Sequence, residues 1–191
     1  MILYGKHYID KLDQKKIIDT LNSKYLTSGP IQKKFENKIK SLVKSKYVSV
    51  CNSATSALLI SFYSIGLTKD DIIIMPAINF IASYNMAKKT GATIYLADVD
   101  KYSGQMTYKH ILECIKKFKL KKIKAIITMH LGGYPENALE IFKLKKKYKC
   151  FIIEDACHGF GSKYDYKNRK IPIGSCLHSD ISTFSFHPVK G

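Results

Sequence analysis

The sequence is poor in arginine, in acidic residues and in long apolar runs. Arg169 is the only arginine among 32 basic residues, and 15 acidic residues face them, which gives a formal net charge of +17. Proteins that read bases or phosphates usually use the bidentate guanidinium fork, whereas these lysines are spread over several predicted helices. A general bias toward lysine explains the charge better than a nucleic-acid surface does, so we expect no nucleic acid as a partner. The charge is still compatible with attraction of a small anionic ligand.

Membrane segments and disulfide frameworks are also missing from the sequence. The longest apolar candidate, 57–67, is interrupted by polar residues and is too short to span a bilayer. The first twenty residues are charged and lack the apolar core of a signal peptide. The five cysteines form no C-x-x-C pair, which favours reduced, buried thiols over disulfides or metal ligands. We therefore expect a cytoplasmic protein with no membrane partner and no metal.

Short apolar runs that alternate with amphipathic segments are what the sequence does contain. The predicted strands are 47–51, 72–75, 93–97, 124–129, 151–154 and 181–186. The predicted helices are 9–21, one that begins at Pro30, one capped by Asn52 and Ser53, 80–90, 108–118 with Phe118 facing inward, and 137–148. Strands and helices in this alternation predict an α/β fold, with a mostly parallel sheet covered by helices on both faces.

Candidate ligand-binding residues follow three of the predicted strands. Ala54 and Thr55 follow the first strand, Asp155 and His158 the fifth, and Lys190 the last. Because the carboxyl ends of parallel strands meet at one edge of a sheet, where ligands bind, we expect these residues to lie near one another. Each also has an ordinary explanation: Thr55 and Asp155 as helix caps, His158 as a surface histidine and Lys190 as a solvated cation.

Six segments carry a resemblance that extends along the whole chain. They are L-T-S-G-P (26–30), N-S-A-T-S-A-L (52–58), M-P-A-I-N-F (75–80), G-A-T-I-Y-L-A-D-V-D (91–100), E-D-A-C-H-G-F-G (154–161) and S-F-H-P-V-K (185–190). In this order they resemble the DegT/DnrJ/EryC1/StrS family of pyridoxal-phosphate-dependent nucleotide-sugar aminotransferases. The resemblance implies the large domain of the fold-type-I transferases, with 1–191 as a part of it that stops before the final strand and the small C-terminal domain. It also implies a homodimer when full length.

The resemblance assigns roles to individual residues. Lys190 matches the Schiff-base lysine and Asp155 the carboxylate that faces the pyridine nitrogen, so both would be catalytic. The other residues that would contact pyridoxal 5'-phosphate are Ala54 and Thr55 at a helix N-terminus, Phe80 stacked on the ring, His158 near the ring hydroxyl, and Ser185 as a second phosphate ligand. Taken alone, a phenylalanine such as Phe80 is more often simply a core residue. The positions that match the sugar side of the site are Tyr4, Thr27, Ser28, Gly29 and His187.

Three segments, 26–30, 52–58 and 184–190, resemble in sequence the pseudaminic acid branch of the family. That branch implies transfer of an amino group, with L-glutamate as donor, to C4 of a UDP-linked 4-keto-6-deoxy-N-acetylhexosamine. The segment 129–133, M-H-L-G-G, departs from the wording of this branch. Amination of another nucleotide keto sugar, at C3 or C4, therefore stays an alternative, and so does an inactive remnant that binds only cofactor or a partner.

Overall fold

Five parallel strands form the central sheet of the computed structural model, which describes residues 7–190. The strands are β1 Ile72–Pro76, β2 Thr93–Ala97, β3 Ala125–Met129, β4 Phe151–Asp155, β5 Lys163–Tyr166, β6 Arg169–Pro172 and β7 Ile181–Thr183. The sheet order is β2-β1-β3-β4-β7, and β5 and β6 form a separate antiparallel hairpin. The predicted parallel α/β fold is confirmed.

The helices begin where capping residues occur in the sequence. They are α1 Lys11–Leu21, α2 Pro30–Val43, α3 Ala54–Ser64, α4 Ile81–Lys89, α5 Tyr108–Lys117 and α6 Ala138–Tyr148, with a short 3-10 helix at Leu131–Gly133. Pro30 is the first residue of α2, where its missing N–H costs nothing. The Ser53 hydroxyl accepts a hydrogen bond from the backbone N–H of Ser56, which starts α3. Both predicted starts are confirmed.

The hydrophobic core lies in two layers, one on each face of the sheet. On one face α3 and α4 cover Ile73, Met75, Ile127 and Ile153. On the other face α5 and α6 cover Ile74, Ile126 and Ile152. Because neighbouring residues in a strand point to opposite faces, Asp155 shares the face of α3 and α4, and Glu154 points to the face of α5 and α6.

Helix α1 contributes no residue to this core. Its apolar side chains are exposed, and they are Leu12, Ile17, Ile18 and Leu21. The helix begins two residues later than the predicted start at Ile9, because the Asp10 carboxylate accepts hydrogen bonds from the backbone N–H groups of Leu12 and Asp13 and so acts as the N-cap. None of the helices within 7–190 has the length and apolar character needed to cross a membrane.

Two predicted strands differ from the observed structure. Residues 47–51 were predicted as a buried strand, which is wrong: this segment is not a strand, and Tyr47 and Cys51 are exposed. The last strand ends at Thr183 rather than Phe186, because its pairing partner β4 ends at Asp155, opposite Thr183. In both cases the alternation of side chains is present, but a neighbouring strand is needed to form the ladder.

Three smaller features also differ from what the sequence led us to expect. Phe118 was predicted to face inward, but it is 45% exposed and contacts the ring of Tyr95 at a centroid distance of 4.8 Å. The β5–β6 hairpin was not predicted; its turn residues, Lys167 and Asn168, both have positive φ. The five cysteines are free thiols, but only Cys114 and Cys150 are buried.

Candidate active site

The carboxyl edge of the sheet brings together three segments that are far apart in sequence. Phe80 follows β1, Asp155 ends β4, and Lys190 follows β7. The Lys190 Nζ atom lies 5.6 Å from the centroid of the Phe80 ring and 2.7 Å from Nε2 of His158. Phe80, His158 and Lys190 thus form a side-chain cluster at this edge, and their assigned roles stay predictions.

Lys190 is held in this cluster by its own loop and by His158. The Lys190 backbone N–H donates to the His187 carbonyl at 2.8 Å, which closes a turn and directs the lysine back toward the sheet. Burial and the Lys190 charge lower the pKa of His158 below 6.5, although the Asp155 carboxylate acts in the opposite direction. The imidazole is therefore neutral at pH 7, and its Nε2 accepts a hydrogen bond from the Lys190 ammonium.

Asp155 is buried, with 2% of its surface exposed, and a donor contacts each of its carboxylate oxygens. The Ser83 hydroxyl donates to Oδ2 at 3.1 Å, and the Cys157 backbone N–H donates to Oδ1 at 3.3 Å. Asp155 precedes a turn rather than a helix, so its alternative explanation as a helix cap is wrong. Burial and the Asp155 carboxylate raise the pKa of the Cys157 thiol, which keeps that thiol protonated beside the carboxylate.

The start of α3 offers backbone donors at the positions predicted to contact a phosphate. Ala54 and Thr55 are its first two residues, and the backbone N–H groups of a first turn have no acceptor within the helix. Such a terminus attracts negative charge through its free donors and the helix dipole. Ser185, the second predicted phosphate ligand, is half-buried after β7, and its hydroxyl accepts a hydrogen bond from the His187 backbone N–H at 3.3 Å.

The residues predicted for the sugar side of the site are more dispersed. Thr27 and Ser28 are exposed, Gly29 is the N-cap of α2, and His187 is exposed in the turn before Lys190. Tyr4 lies outside the described residues. These five assignments stay predictions.

Sequence reasoning missed four polar residues near the site. Ser83 is buried in the first turn of α4, three residues after Phe80, and that spacing was the available signal, because residues three apart share a helix face. The other three, Glu154, His130 and Ser182, form a cluster on the opposite face of the sheet, the Glu154 cluster, in which Glu154 and His130 are buried. The Ser182 hydroxyl donates to Glu154, and His130 Nε2 lies 3.5 Å from Glu154 Oε1.

The Glu154 cluster joins three strands behind Asp155. Glu154 is paired in register with Thr128 of β3 and Ser182 of β7, and the His130 backbone N–H donates to the Asp155 carbonyl at 3.1 Å. Burial raises the pKa of Glu154, but the nearby His130 imidazole and the hydroxyl groups of Ser182 and Ser179 outweigh burial and lower that pKa below 4.5. Glu154 is therefore an ionised carboxylate in the interior of the protein.

Comparison with known proteins finds relatives whose similarity extends over nearly the whole of this chain. The profile of the DegT/DnrJ/EryC1/StrS aminotransferase family matches residues 7–191. GDP-perosamine synthase of Escherichia coli O157:H7 is 35% identical over 175 residues, which are 91% of this chain and 45% of that protein. UDP-4-amino-4,6-dideoxy-N-acetyl-beta-L-altrosamine transaminase of Campylobacter jejuni (strain 81-176) is 35% identical over 190 residues, which are 100% of this chain and 48% of that protein.

Solved structures show the same arrangement of strands and helices. The putative sugar aminotransferase Spr1654 from Streptococcus pneumoniae, in its PMP form, superposes with a TM-score of 0.88 at 26% identity. The superposed region is 100% of this chain and 49% of the Spr1654 chain. Helicobacter pylori PseC, an aminotransferase of pseudaminic acid biosynthesis, superposes with a TM-score of 0.82 at 30% identity. The superposed region is 98% of this chain and 48% of the PseC chain. The chain thus spans about half the length of the relatives it matches.

Proposed function

The chain belongs to the DegT/DnrJ/EryC1/StrS aminotransferase family, and we propose that it binds pyridoxal 5'-phosphate at Lys190 and serves amino transfer to a nucleotide-linked keto sugar. The observation that carries this proposal is the position of the Lys190 amine. It lies against the face of Phe80 and within hydrogen-bond distance of a neutral imidazole, at the sheet edge where β4 ends in a buried carboxylate.

The residues present fit the chemical groups of this cofactor. An aldehyde requires a primary amine, which is Lys190, and a pyridinium nitrogen requires a carboxylate, which is Asp155. A planar ring is matched by the face of Phe80. A phosphate is matched by the first turn of α3 at Ala54 and Thr55, with Ser185 as the predicted additional donor.

Each of these residues has a defined task in amino transfer. When bound, the cofactor supplies the carbonyl group and the electron sink of the reaction. Asp155 would keep the pyridine nitrogen protonated, and the first turn of α3 would hold the phosphate between the two half-reactions. The Lys190 amine, once released, can carry a proton between carbons, and His158 can accept a hydrogen bond from that free amine.

The sugar substrate is proposed from the relatives and from the resemblance of three segments. The Campylobacter transaminase is named for a UDP-linked 4-amino-4,6-dideoxy sugar, and the Escherichia coli enzyme for a GDP-linked sugar. We propose C4 of a UDP-linked 4-keto-6-deoxy-N-acetylhexosamine as the acceptor, in a pathway of the pseudaminic acid type, and L-glutamate as the donor. The homodimer implied by the resemblance and the cytoplasmic location expected from the N-terminal sequence stay predictions.

Product formation tests this function. The purified protein is incubated with pyridoxal 5'-phosphate, L-glutamate and either a UDP-linked or a GDP-linked 4-keto-6-deoxy sugar, and the amino sugar is detected by mass spectrometry. We expect product with the UDP-linked sugar and none with Lys190→Ala. Product with the GDP-linked sugar alone would overturn the substrate assignment. Cofactor binding without product from either sugar would overturn the amino-transfer proposal.

A further inference from the structure

Ser83 is a buried serine that is not among the residues assigned to contact the cofactor. Its residue surface is 1% exposed, and its Oγ lies 3.1 Å from Oδ2 of Asp155, a residue 72 positions further along the chain. An alternative hydrogen bond was available to it, because serines in helices commonly donate to a carbonyl one turn back. Ser61 in α3 does this, donating to the Ala57 carbonyl at 2.7 Å. Ser83 instead donates to a side chain across the interface between α4 and the sheet.

The bond fixes the orientation of the Asp155 carboxylate. A carboxylate at the end of a strand can rotate about its last side-chain torsion, which is broad. The Ser83 hydroxyl of α4 donates to Oδ2 and the Cys157 backbone N–H of the turn after β4 donates to Oδ1. These two donors together hold the plane of the carboxylate in one orientation. A hydrogen bond to an ionised acceptor is stronger than one between neutral groups, so the orientation is firmly held.

Helix α4 also links this carboxylate to the aromatic residue of the site. Phe80 is the N-cap of α4 and Ser83 is in its first turn, where the Ser83 backbone N–H donates to the Phe80 carbonyl at 3.2 Å. One helical turn therefore supplies both the ring face near Lys190 and the hydroxyl on Asp155. The spacing of the two contacts is set by backbone geometry rather than by flexible side chains.

We propose that Ser83 is a positioning residue that aims the Asp155 carboxylate at the pyridine nitrogen of the cofactor, which rests on the function proposed above. Without this hydroxyl the carboxylate can rotate away from the pyridine nitrogen, and it then holds the proton of that nitrogen less firmly. A ring that is less fully protonated withdraws less electron density from the nitrogen that Lys190 contributes to the adduct. That nitrogen therefore becomes more basic. The absorbance of the bound cofactor should therefore change at a higher pH in Ser83→Ala than in the unchanged protein.

The test is a pH titration of cofactor absorbance, with the dissociation constant measured alongside. In Ser83→Ala we expect the midpoint to move upward by about one pH unit and the dissociation constant to rise about tenfold, the effect of one hydrogen bond to a charged group. Ser83→Thr keeps the hydroxyl and should restore the midpoint. Ser61→Ala, which removes an equally buried helix hydroxyl away from Asp155, should leave the midpoint unchanged.

A double-mutant cycle separates positioning from a packing effect. If Ser83 acts through Asp155, adding Ser83→Ala to Asp155→Asn should produce no further shift. An unshifted midpoint in folded Ser83→Ala, or an equal shift with Asp155 already replaced, would overturn the inference and leave the proposed function intact. If the unchanged protein forms no borohydride-trapped adduct at Lys190, both proposals fail.

Discussion

The ammonium group of Lys190 and the imidazole of His158 are hydrogen-bonded at 2.7 Å, although the two residues lie 32 positions apart. The pair joins the loop after β7 to the turn after β4, so the two segments that carry the catalytic candidates are in direct contact. The lowered pKa of His158 makes it the acceptor in this bond. The amine is thereby held near the Phe80 ring before any cofactor arrives.

Replacement of His158 by glutamine should change the pH dependence of cofactor binding. The pKa of His158 is lowered from 6.5 by burial and by the Lys190 charge, so its charged form is disfavoured in the folded protein. As the pH falls through that lowered pKa, a second positive charge appears beside Lys190. The amount of borohydride-trapped adduct should thus fall more steeply with acid in the unchanged protein than in His158→Gln. Identical acid profiles would contradict this assignment.

The backbone of Gly133 approaches His158 so closely that a side chain cannot be accommodated. A Cβ atom at Gly133 would lie 2.4 Å from the His158 carbonyl oxygen, and its φ is +79°. Gly132, with φ +66°, has no atom within 4 Å of its Cβ position. We expect Gly132→Ala to cost only left-handed strain, about 1–2 kcal/mol in free energy of unfolding, and Gly133→Ala to cost about 1–3 kcal/mol more from overlap.

Denaturant unfolding of the two glycine variants measures this difference. Gly133→Ala should also weaken cofactor binding, because relief of the overlap displaces the turn that carries His158. Equal unfolding free energies for the two variants would contradict this prediction, because they would show that the turn after β4 moves aside with no loss of stability.

Glu154 should give the protein a distinct sensitivity to acid. Its pKa is lowered below 4.5 in the folded state, chiefly because His130 and Ser182 outweigh the cost of burial. The stability that this group contributes is present above pH 4.5 and is lost as the pH falls through the lowered value, at up to about 1.4 kcal/mol per pH unit. Unfolding free energies measured across this range should lose that slope in Glu154→Gln.

A surface carboxylate provides the control for Glu154. Glu113 lies on α5 with 58% of its side chain exposed, in an ion pair with Lys109 at 3.8 Å. Since exposed pairs contribute little, Glu113→Gln should keep the slope of the unchanged protein. A slope that survives in Glu154→Gln would assign the acid sensitivity to another group.

The parts of the fold that depend on local pattern were predictable from the sequence. Strand 93–97 matches its predicted bounds, and Pro30 and Ser53 begin α2 and α3 as predicted, because capping and apolar runs act within a few residues. Segment 47–51 failed because a strand also needs a neighbour to bond with. Helix α1 has the amphipathic pattern, but no residue of it is buried.

The candidate site was predictable where residues follow a strand, and not where two elements meet in space. The resemblance assigned Phe80, His158 and Lys190 to one site, and in the structure the Lys190 amine lies near both the His158 imidazole and the Phe80 ring. The Ser83–Asp155 bond was missed because it depends on how α4 packs on the sheet. The Glu154 cluster was missed for the same reason, since its partners come from β3 and β7.

The central claim, that Lys190 forms the bond to the cofactor, can be tested on the purified protein alone. Pyridoxal 5'-phosphate is added, the mixture is reduced with borohydride, and the modified peptide is identified by mass spectrometry. Lys190→Ala and Lys163→Ala, which removes an exposed lysine of β5, are treated in parallel. We predict one modified site at Lys190, lost in Lys190→Ala and retained in Lys163→Ala. Modification spread over surface lysines, unaffected by Lys190→Ala, would contradict the account.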